Sequence, residues 1–219
     1  MARSPFLAKQ WALYDGQEFE RAWRETHSIL DGLGREDRRD AQRLIGLCWY
    51  RQHHYGDAEH WLQWACQGST DSNDWLWLAL AATRDGNIEQ GADAFEQTRI
   101  CQQVAKFTQP PGIHLQIYGY ALALCQAREW ARLRPLLDEL GKVYERLFCT
   151  DTAFLYRHGV PFLVSFLALA ERLFREQEQF VQGLAWLQTL ALGLDDEGKR
   201  QVSRAMRELR EADASSTTP

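Results

Sequence analysis

Among the residues of this sequence that could bind a metal, three histidines that lie close together are the strongest candidates. His53 and His54 are adjacent, and His60 follows shortly afterwards. A zinc site needs three or four ligands in a closed geometry, and no neighbouring Cys or carboxylate completes a convincing set. The pattern therefore favours solvated polar residues at a turn, and we expect neither a metal nor another cofactor.

Groups that could act as nucleophiles, acids or bases are scattered along the chain. The cysteines are odd in number and never spaced Cys-x-x-Cys; they are Cys48, Cys66, Cys101, Cys125 and Cys149. Four of them fall within apolar helical patterns, where cysteine behaves as a small buried hydrophobe. Adjacent carboxylates such as Asp195 and Asp196 lie in charged segments, and no glycine-rich phosphate loop follows a strand. The sequence therefore predicts no catalytic residues and no enzymatic activity. The odd number of cysteines without paired spacing also predicts a protein of a reducing compartment.

The composition favours helices and argues against two classes of partner. Ala, Leu, Gln, Glu and Arg dominate, and no window alternates β-branched residues as a strand would. The formal net charge is −5, without a basic stripe, which argues against nucleic-acid binding. The longest apolar stretch, about 160–170, is too short to span a bilayer, and the first residues form no secretory signal. We expect a cytoplasmic protein that does not insert into membranes.

An internal repeat organises the central part of the chain. Two segments carry the same spacing of apolar and small residues: Ile45, Gly46, Trp49, Tyr55, Ala58, Leu62 and Ala65 in the first, and Leu78, Ala79, Ala82, Ile88, Gly91, Phe95 and Thr98 in the second. The second segment lies 33 residues after the first. Each predicts one helix, a short turn and a second helix, with Ala58 and Gly91 letting the two helices approach closely.

Weaker copies of this pattern extend it in both directions. The predicted helix pairs cover residues 5–31, 39–71, 72–105, 114–141 and 164–191. Pro110 and Pro111 must interrupt a helix in the insertion after the third pair, and a short helix is expected near 142–147. An amphipathic helix over 197–212 would cap the array, and residues 213–219 would form a disordered tail.

The pattern resembles the tetratricopeptide repeat, whose signature places a small residue in each helix beside large apolar neighbours at about this period. Trp75, Leu78 and Ala79 match the opening of that signature. Two departures are that Thr70 stands where a closing proline is expected and that His53 replaces glycine in one turn. The resemblance implies an all-α fold, an α-solenoid of helical hairpins with a C-terminal capping helix, in a single domain over residues 1–212.

The first helices of the pairs carry a second apolar stripe, which the hairpin itself does not use. In tetratricopeptide proteins this stripe faces a concave groove, so the resemblance implies a groove that binds a partner. Its predicted residues are Arg43, Leu47, Tyr50, Arg51, Leu76, Trp77, Leu80, Arg84, Tyr118 and Leu122, with the arginines at its rim. The alternative is that a loop or terminal segment fills the groove.

The resemblance also narrows the function. Family members that clamp acidic tails need Lys and Asn in the groove, whereas Leu47, Leu80 and Leu122 take the central places here. We therefore expect an adaptor or chaperone that binds an apolar or amphipathic helical segment of another protein, similar in kind to small bacterial chaperones. The alternative is a structural subunit that assembles through Trp23, Trp61 and Trp64 on the outer helix faces. Either function is compatible with a homo-oligomer.

Overall fold

The computed structural model describes residues 3–105 and 112–216, and these residues form twelve α-helices and no strand. The helices pack in sequential antiparallel pairs, so the prediction of an all-α fold is confirmed. The chain divides into two compact units, residues 1–110 and residues 111–219. The predicted interruption at Pro110 and Pro111 lies outside the described residues. No helix within the described ranges is long and apolar enough to cross a membrane.

The first unit contains three helix pairs, and each helix packs against the next one along the chain. A 3₁₀ turn at Pro5–Leu7 precedes them. The helices are α1 (Ala8–Asp15), α2 (Phe19–Ile29), α3 (Arg35–Arg51), α4 (Tyr55–Cys66), α5 (Ser72–Asp85) and α6 (Ile88–Val104).

The second unit contains two helix pairs, a short helix between them and a long final helix. These are α7 (Ile113–Gln126), α8 (Trp130–Leu147), α9 (Thr152–Arg157), α10 (Leu163–Glu176), α11 (Phe180–Leu192) and α12 (Asp196–Ser216). Helix α12 packs against α10 and α11. It buries the apolar face predicted for it, with Val202 and Leu209 fully enclosed.

Helix α5 shows how the sequence sets the ends of a helix. The side chain of Asp71 accepts a hydrogen bond from the backbone N–H of Asn73 at 2.9 Å, which satisfies one of the free donors at the helix start. Gly86 ends the helix at φ 96°, in the left-handed region that glycine enters without a steric penalty. Between these ends, Leu78, Ala79 and Ala82 are buried.

The turns of all five helix pairs share one geometry. Each contains a residue with positive φ: Gln17, His53, Gly86, Arg128 and Glu178. The next residue donates its backbone N–H to a carbonyl five residues earlier; the pairs are Glu18 to Leu13, His54 to Trp49, Asn87 to Ala82, Glu129 to Leu124 and Gln179 to Phe174, at 2.8–3.1 Å. This bond satisfies a carbonyl that the helix leaves free. The turns predicted at His53 and at Gly86 are confirmed.

Small residues allow close contact between the two helices of a pair, as the repeat predicts. A Cβ added to Gly91 would overlap the hydroxyl oxygen of Thr83 and would lie 3.2 Å from the carbonyl oxygen of Ala79. Ala58, the equivalent residue one pair earlier, is fully buried. Gly183 is equally tight, since an added Cβ would lie 2.7 Å from the ring of Phe174.

Three predicted boundaries are wrong. No separate helix forms near 142–147, because α8 runs without a break to Leu147; the short helix is α9, further along the chain. The tail does not begin at residue 213, because α12 continues to Ser216; residues 217–219 lie outside the described part. Helix α3 begins at Arg35, before the predicted start at 39.

Candidate binding pocket in the first unit

A cavity of about 550 Å³ lies in the first unit. Its lining comes from the end of α1 through the start of α2, the C-terminal end of α3 with the turn that follows it, and the last turn of α5. The residues are Tyr14, Asp15, Gln17, Phe19, Tyr50, Arg51, His53 and Arg84. We call this cavity the Arg51–Arg84 pocket. Each contributing segment is at or beside a turn, and the packing of consecutive helix pairs brings these turns together.

Aromatic rings form much of the pocket wall. The ring centroids of Tyr14 and Phe19 are 5.4 Å apart in an edge-to-face arrangement. Tyr50 makes edge-to-face contacts with Tyr55 at 5.4 Å and with Trp77 at 5.2 Å. Burial raises the pKa of Tyr50 to about 12 even though Arg84 opposes the shift, so its phenol is neutral near pH 7. The rings hold one another in place and leave an apolar surface facing the cavity.

Two arginines supply the positive charge of the pocket. The guanidinium of Arg84 lies 4.9 Å from the ring centroid of Tyr50 and 5.5 Å from that of Tyr55. Arg51 donates from Nε to the hydroxyl oxygen of Tyr14 at 3.0 Å, and its guanidinium lies 6.0 Å from the ring of Trp77. These contacts fix both side chains through cation–π attraction and hydrogen bonding to neutral groups.

The pocket contains only part of the predicted groove. Tyr50, Arg51 and Arg84 line it, and Trp77 lies beside it, half-buried. The prediction that the leucines of the stripe form an accessible surface is wrong: Leu47, Leu76 and Leu80 are only 2%, 6% and 7% exposed. Leu47 packs in a core cluster with Leu7, Trp11 and Leu13 from the N-terminal segment. These three leucines are therefore buried residues that do not line the pocket.

Arg43 is not a rim residue as predicted. It is 5% exposed, and its guanidinium pairs with the carboxylate of Asp40, one turn earlier, and with that of Asp74 on α5 at 3.0 Å. Burial by itself lowers the pKa of Arg43, but the attraction of Asp74 and Asp40 outweighs it and raises that pKa. Asp40 also accepts from Trp11 Nε1 at 2.9 Å and from the backbone of Ser4 at 2.7 Å. Arg43 therefore joins α3 to α5 inside the unit.

The last two predicted groove residues, Tyr118 and Leu122, belong to the second unit. Both are half-buried on α7. The hydroxyl of Tyr118 donates to the backbone carbonyl of Ser165 on α10 at 3.3 Å. Within this unit Tyr118 thus ties α7 to α10.

Sequence reasoning did not identify Tyr14, Phe19 or His53 as site residues. Phe19 begins α2 directly after its turn, which is the position that Tyr55 takes in the next pair. The weaker copy of the repeat at the N-terminal end places Phe19 at this position, so the sequence contained a signal for it. Tyr14 has no matching signal, because its place at the pocket depends on how α1 packs on α3.

The histidines contact aromatic rings. His54 lies edge-to-face against Trp49 with centroids 5.3 Å apart, and His60 lies 4.3 Å from the ring of Trp64. Among the described residues, no group of three or more His, Cys, Asp or Glu side chains is placed to hold a metal ion. The outer-face tryptophans differ in exposure, since Trp64 is 39% exposed whereas Trp23 stacks on Trp49 at 4.8 Å.

Four of the five cysteines are buried as predicted, namely Cys48, Cys66, Cys101 and Cys125. Burial raises the pKa of each of these four thiols, in the case of Cys48 to about 12. A raised pKa keeps a thiol protonated near pH 7 and therefore poorly nucleophilic. These four side chains act as packing groups.

Comparison of the sequence with models of known protein families gives no match, and comparison with curated proteins gives none either.

Proposed function

We propose that the chain is a protein-interaction module, an adaptor or chaperone, and that the Arg51–Arg84 pocket receives an amphipathic or apolar segment of a partner protein. In this proposal the helix pairs are repeats of the tetratricopeptide kind and the molecule is a solenoid. The recurring turn geometry and the small residues at the helix contacts support the repeat interpretation.

The observation that carries the proposal is a cavity walled by Tyr14, Phe19 and Tyr50 and large enough for side chains of a ligand. Its volume of about 550 Å³ falls within the range of pockets that bind ligands, and its wall combines aromatic rings with charged and polar side chains. Aromatic residues in such places commonly contribute most of the binding energy. A partner segment that inserts one large apolar residue would use this wall.

The test is a selection of peptides from a random library on the immobilised full chain, followed by fluorescence anisotropy titration of the selected peptides. Phe19→Ala removes part of the aromatic wall and should weaken binding about tenfold or more, the effect expected when an aromatic anchor contact is truncated. Phe6→Ala is the matched control, because Phe6 is 77% exposed and does not line the pocket.

Thermal melting of both variants checks that they remain folded. Tyr14→Leu provides a second change in the same wall that keeps an apolar side chain. The proposal fails if the library yields no binder, or if both wall variants bind the selected peptides as tightly as the unmodified chain does.

A structural subunit that assembles through the outer face of α4 is the second candidate. Trp64 is 39% exposed and forms one aromatic cluster with His60 and Trp61, with ring centroids 4.3 Å and 5.0 Å from its own. Exposed tryptophans of this kind are enriched at protein interfaces. If Trp64→Ala abolishes co-purification of a partner that Phe19→Ala retains, this function replaces the first.

A further inference from the structure

Several arginines of the first unit pair with carboxylates, whereas Arg51 and Arg84 contact aromatic rings and phenol oxygens instead. Arg3 pairs with Asp15, Arg24 with Glu20 and Arg43 with two aspartates, all within 4 Å. Among the described residues, neither Arg51 nor Arg84 has a carboxylate within that distance; their contacts are aromatic rings and phenol oxygens. The pocket thus holds two positive charges that the described part of the chain leaves unneutralised.

Arg84 is also incompletely hydrogen-bonded. Its Nε is enclosed and donates to no acceptor among the described residues, and its Nη1 reaches only the hydroxyl oxygen of Tyr55 at 3.5 Å. The side chain as a whole is half-buried and lines the cavity. A guanidinium held against two aromatic rings, with donors to spare, is well suited to a planar acceptor such as a carboxylate.

A third donor lies beside Arg51. The hydroxyl oxygen of Tyr14 accepts a hydrogen bond from Arg51 Nε, which leaves the proton of that hydroxyl free to be donated. Asp15, the acidic residue of the lining, is bound by both terminal nitrogens of Arg3, at 2.5 Å and 2.9 Å. Its charge is therefore compensated by Arg3 and does not neutralise Arg51 or Arg84.

We propose that the Arg51–Arg84 pocket binds the side-chain carboxylate of an Asp or Glu in the partner segment, beside the apolar residue that packs on Tyr14 and Phe19. This inference rests on the proposed function and names the chemistry that the partner must carry. A side chain is the source we commit to, because an amphipathic segment can present an acidic side chain next to an apolar one at any point along its length.

The experiment uses the peptides selected on the full chain, with amidated C termini, and the same peptides with their acidic residue changed from Glu to Gln or from Asp to Asn. Each selected peptide should contain an acidic residue, and its neutral form should bind about tenfold more weakly, as for a charge-assisted contact. In the Arg84→Gln variant the difference in affinity between the two forms should become smaller, because only Arg51 remains to attract the carboxylate.

If Arg84→Gln has a lowered melting temperature, Arg51→Gln and Arg84→Lys take its place as variants in the binding measurement. Arg84→Lys retains the charge but loses the planar pair of donors, so it should recover only part of the preference for the acidic peptide. Arg204→Gln is the matched control, because Arg204 is exposed on α12; it should leave the preference unchanged.

Different results would overturn the two proposals separately. Peptides that bind the pocket without any acidic residue, or equally well in acidic and neutral forms, would refute the carboxylate while leaving the binding function intact. A preference for a free C terminus over an acidic side chain would also refute it. The absence of any pocket-dependent peptide would instead remove the proposed function on which the inference depends.

Discussion

Replacement of Arg43 by Met should strongly destabilise the first unit. The change keeps a long side chain but leaves the carboxylates of Asp40 and Asp74 without their cation, and these two side chains are only 6% and 2% exposed. Breaking a buried ion pair from one side typically costs about 3–5 kcal/mol, because the remaining charge stays buried.

The hydrogen bonds that remain place the expected cost near the lower end of that range. Asp40 still accepts from Trp11 and Ser4, and Asp74 still accepts from the hydroxyl of Ser69 at 2.6 Å. We therefore expect a loss of about 3 kcal/mol in the free energy of unfolding, which for a unit of this size lowers the melting temperature by roughly 10 °C or more.

Urea denaturation followed by circular dichroism measures this loss. Arg51→Met is the matched control; since Arg51 is exposed, that change should cost less than about 0.5 kcal/mol. Changing Asp40 and Asp74 to Asn together with Arg43→Met should recover part of the stability, because the stranded charges are removed. A midpoint for Arg43→Met equal to that of Arg51→Met would show that the two carboxylates are solvated and that the argument is wrong.

Two further predictions concern packing and a helix end. Gly91→Leu should lower the free energy of unfolding by about 1–3 kcal/mol, because the larger side chain overpacks against Thr83; thermal melting measures this loss. Gly119→Ala is the control and should not destabilise, because an added Cβ there meets no other atom. Equal losses in the two variants would contradict the packing argument. Asp195→Ala should cost about 1–2 kcal/mol, because its carboxylate accepts from Gly198 and from both donors of Thr150. Burial alone raises the pKa of Asp195, but these hydrogen bonds outweigh burial and lower that pKa. The stabilisation that they provide is therefore present above the unfolded pKa of 3.8 and is lost as the pH falls through the lower pKa of the folded state. Chemical denaturation at decreasing pH should therefore show a decreasing difference in the free energy of unfolding between the unmodified chain and Asp195→Ala. A difference that stays constant down to pH 2 would refute the role of the carboxylate.

The helix pairs were predictable from sequence because their determinants are local. Ala58 and Gly91 occupy the place where two consecutive helices touch, so a fixed spacing from the turn suffices to identify them. The burial of Leu47 was not predictable in this way. It depends on the packing of the N-terminal segment against α3. That N-terminal segment matches the repeat pattern only weakly.

The candidate site was predictable only in part, for a similar reason. Tyr50, Arg51 and Arg84 follow from the register of the repeat, which places them near the ends of first helices. Arg43 lies on the same stripe, yet its environment is decided by Asp74 in the next helix pair. An arginine at a rim and an arginine in a buried ion pair look alike in sequence until the position of the second carboxylate is known.

The turns of the helix pairs bear on how such pairs can be recognised in a sequence. Four of the five left-handed turn positions hold Gln17, His53, Arg128 and Glu178, and only Gly86 is a glycine. The main-chain bond that closes each turn is the same in all five. The main-chain bond that closes the turn therefore forms with five different residue types at that position, and glycine is not required there. A sequence pattern that requires glycine there would identify one of the five helix pairs, whereas the closing main-chain bond identifies all five.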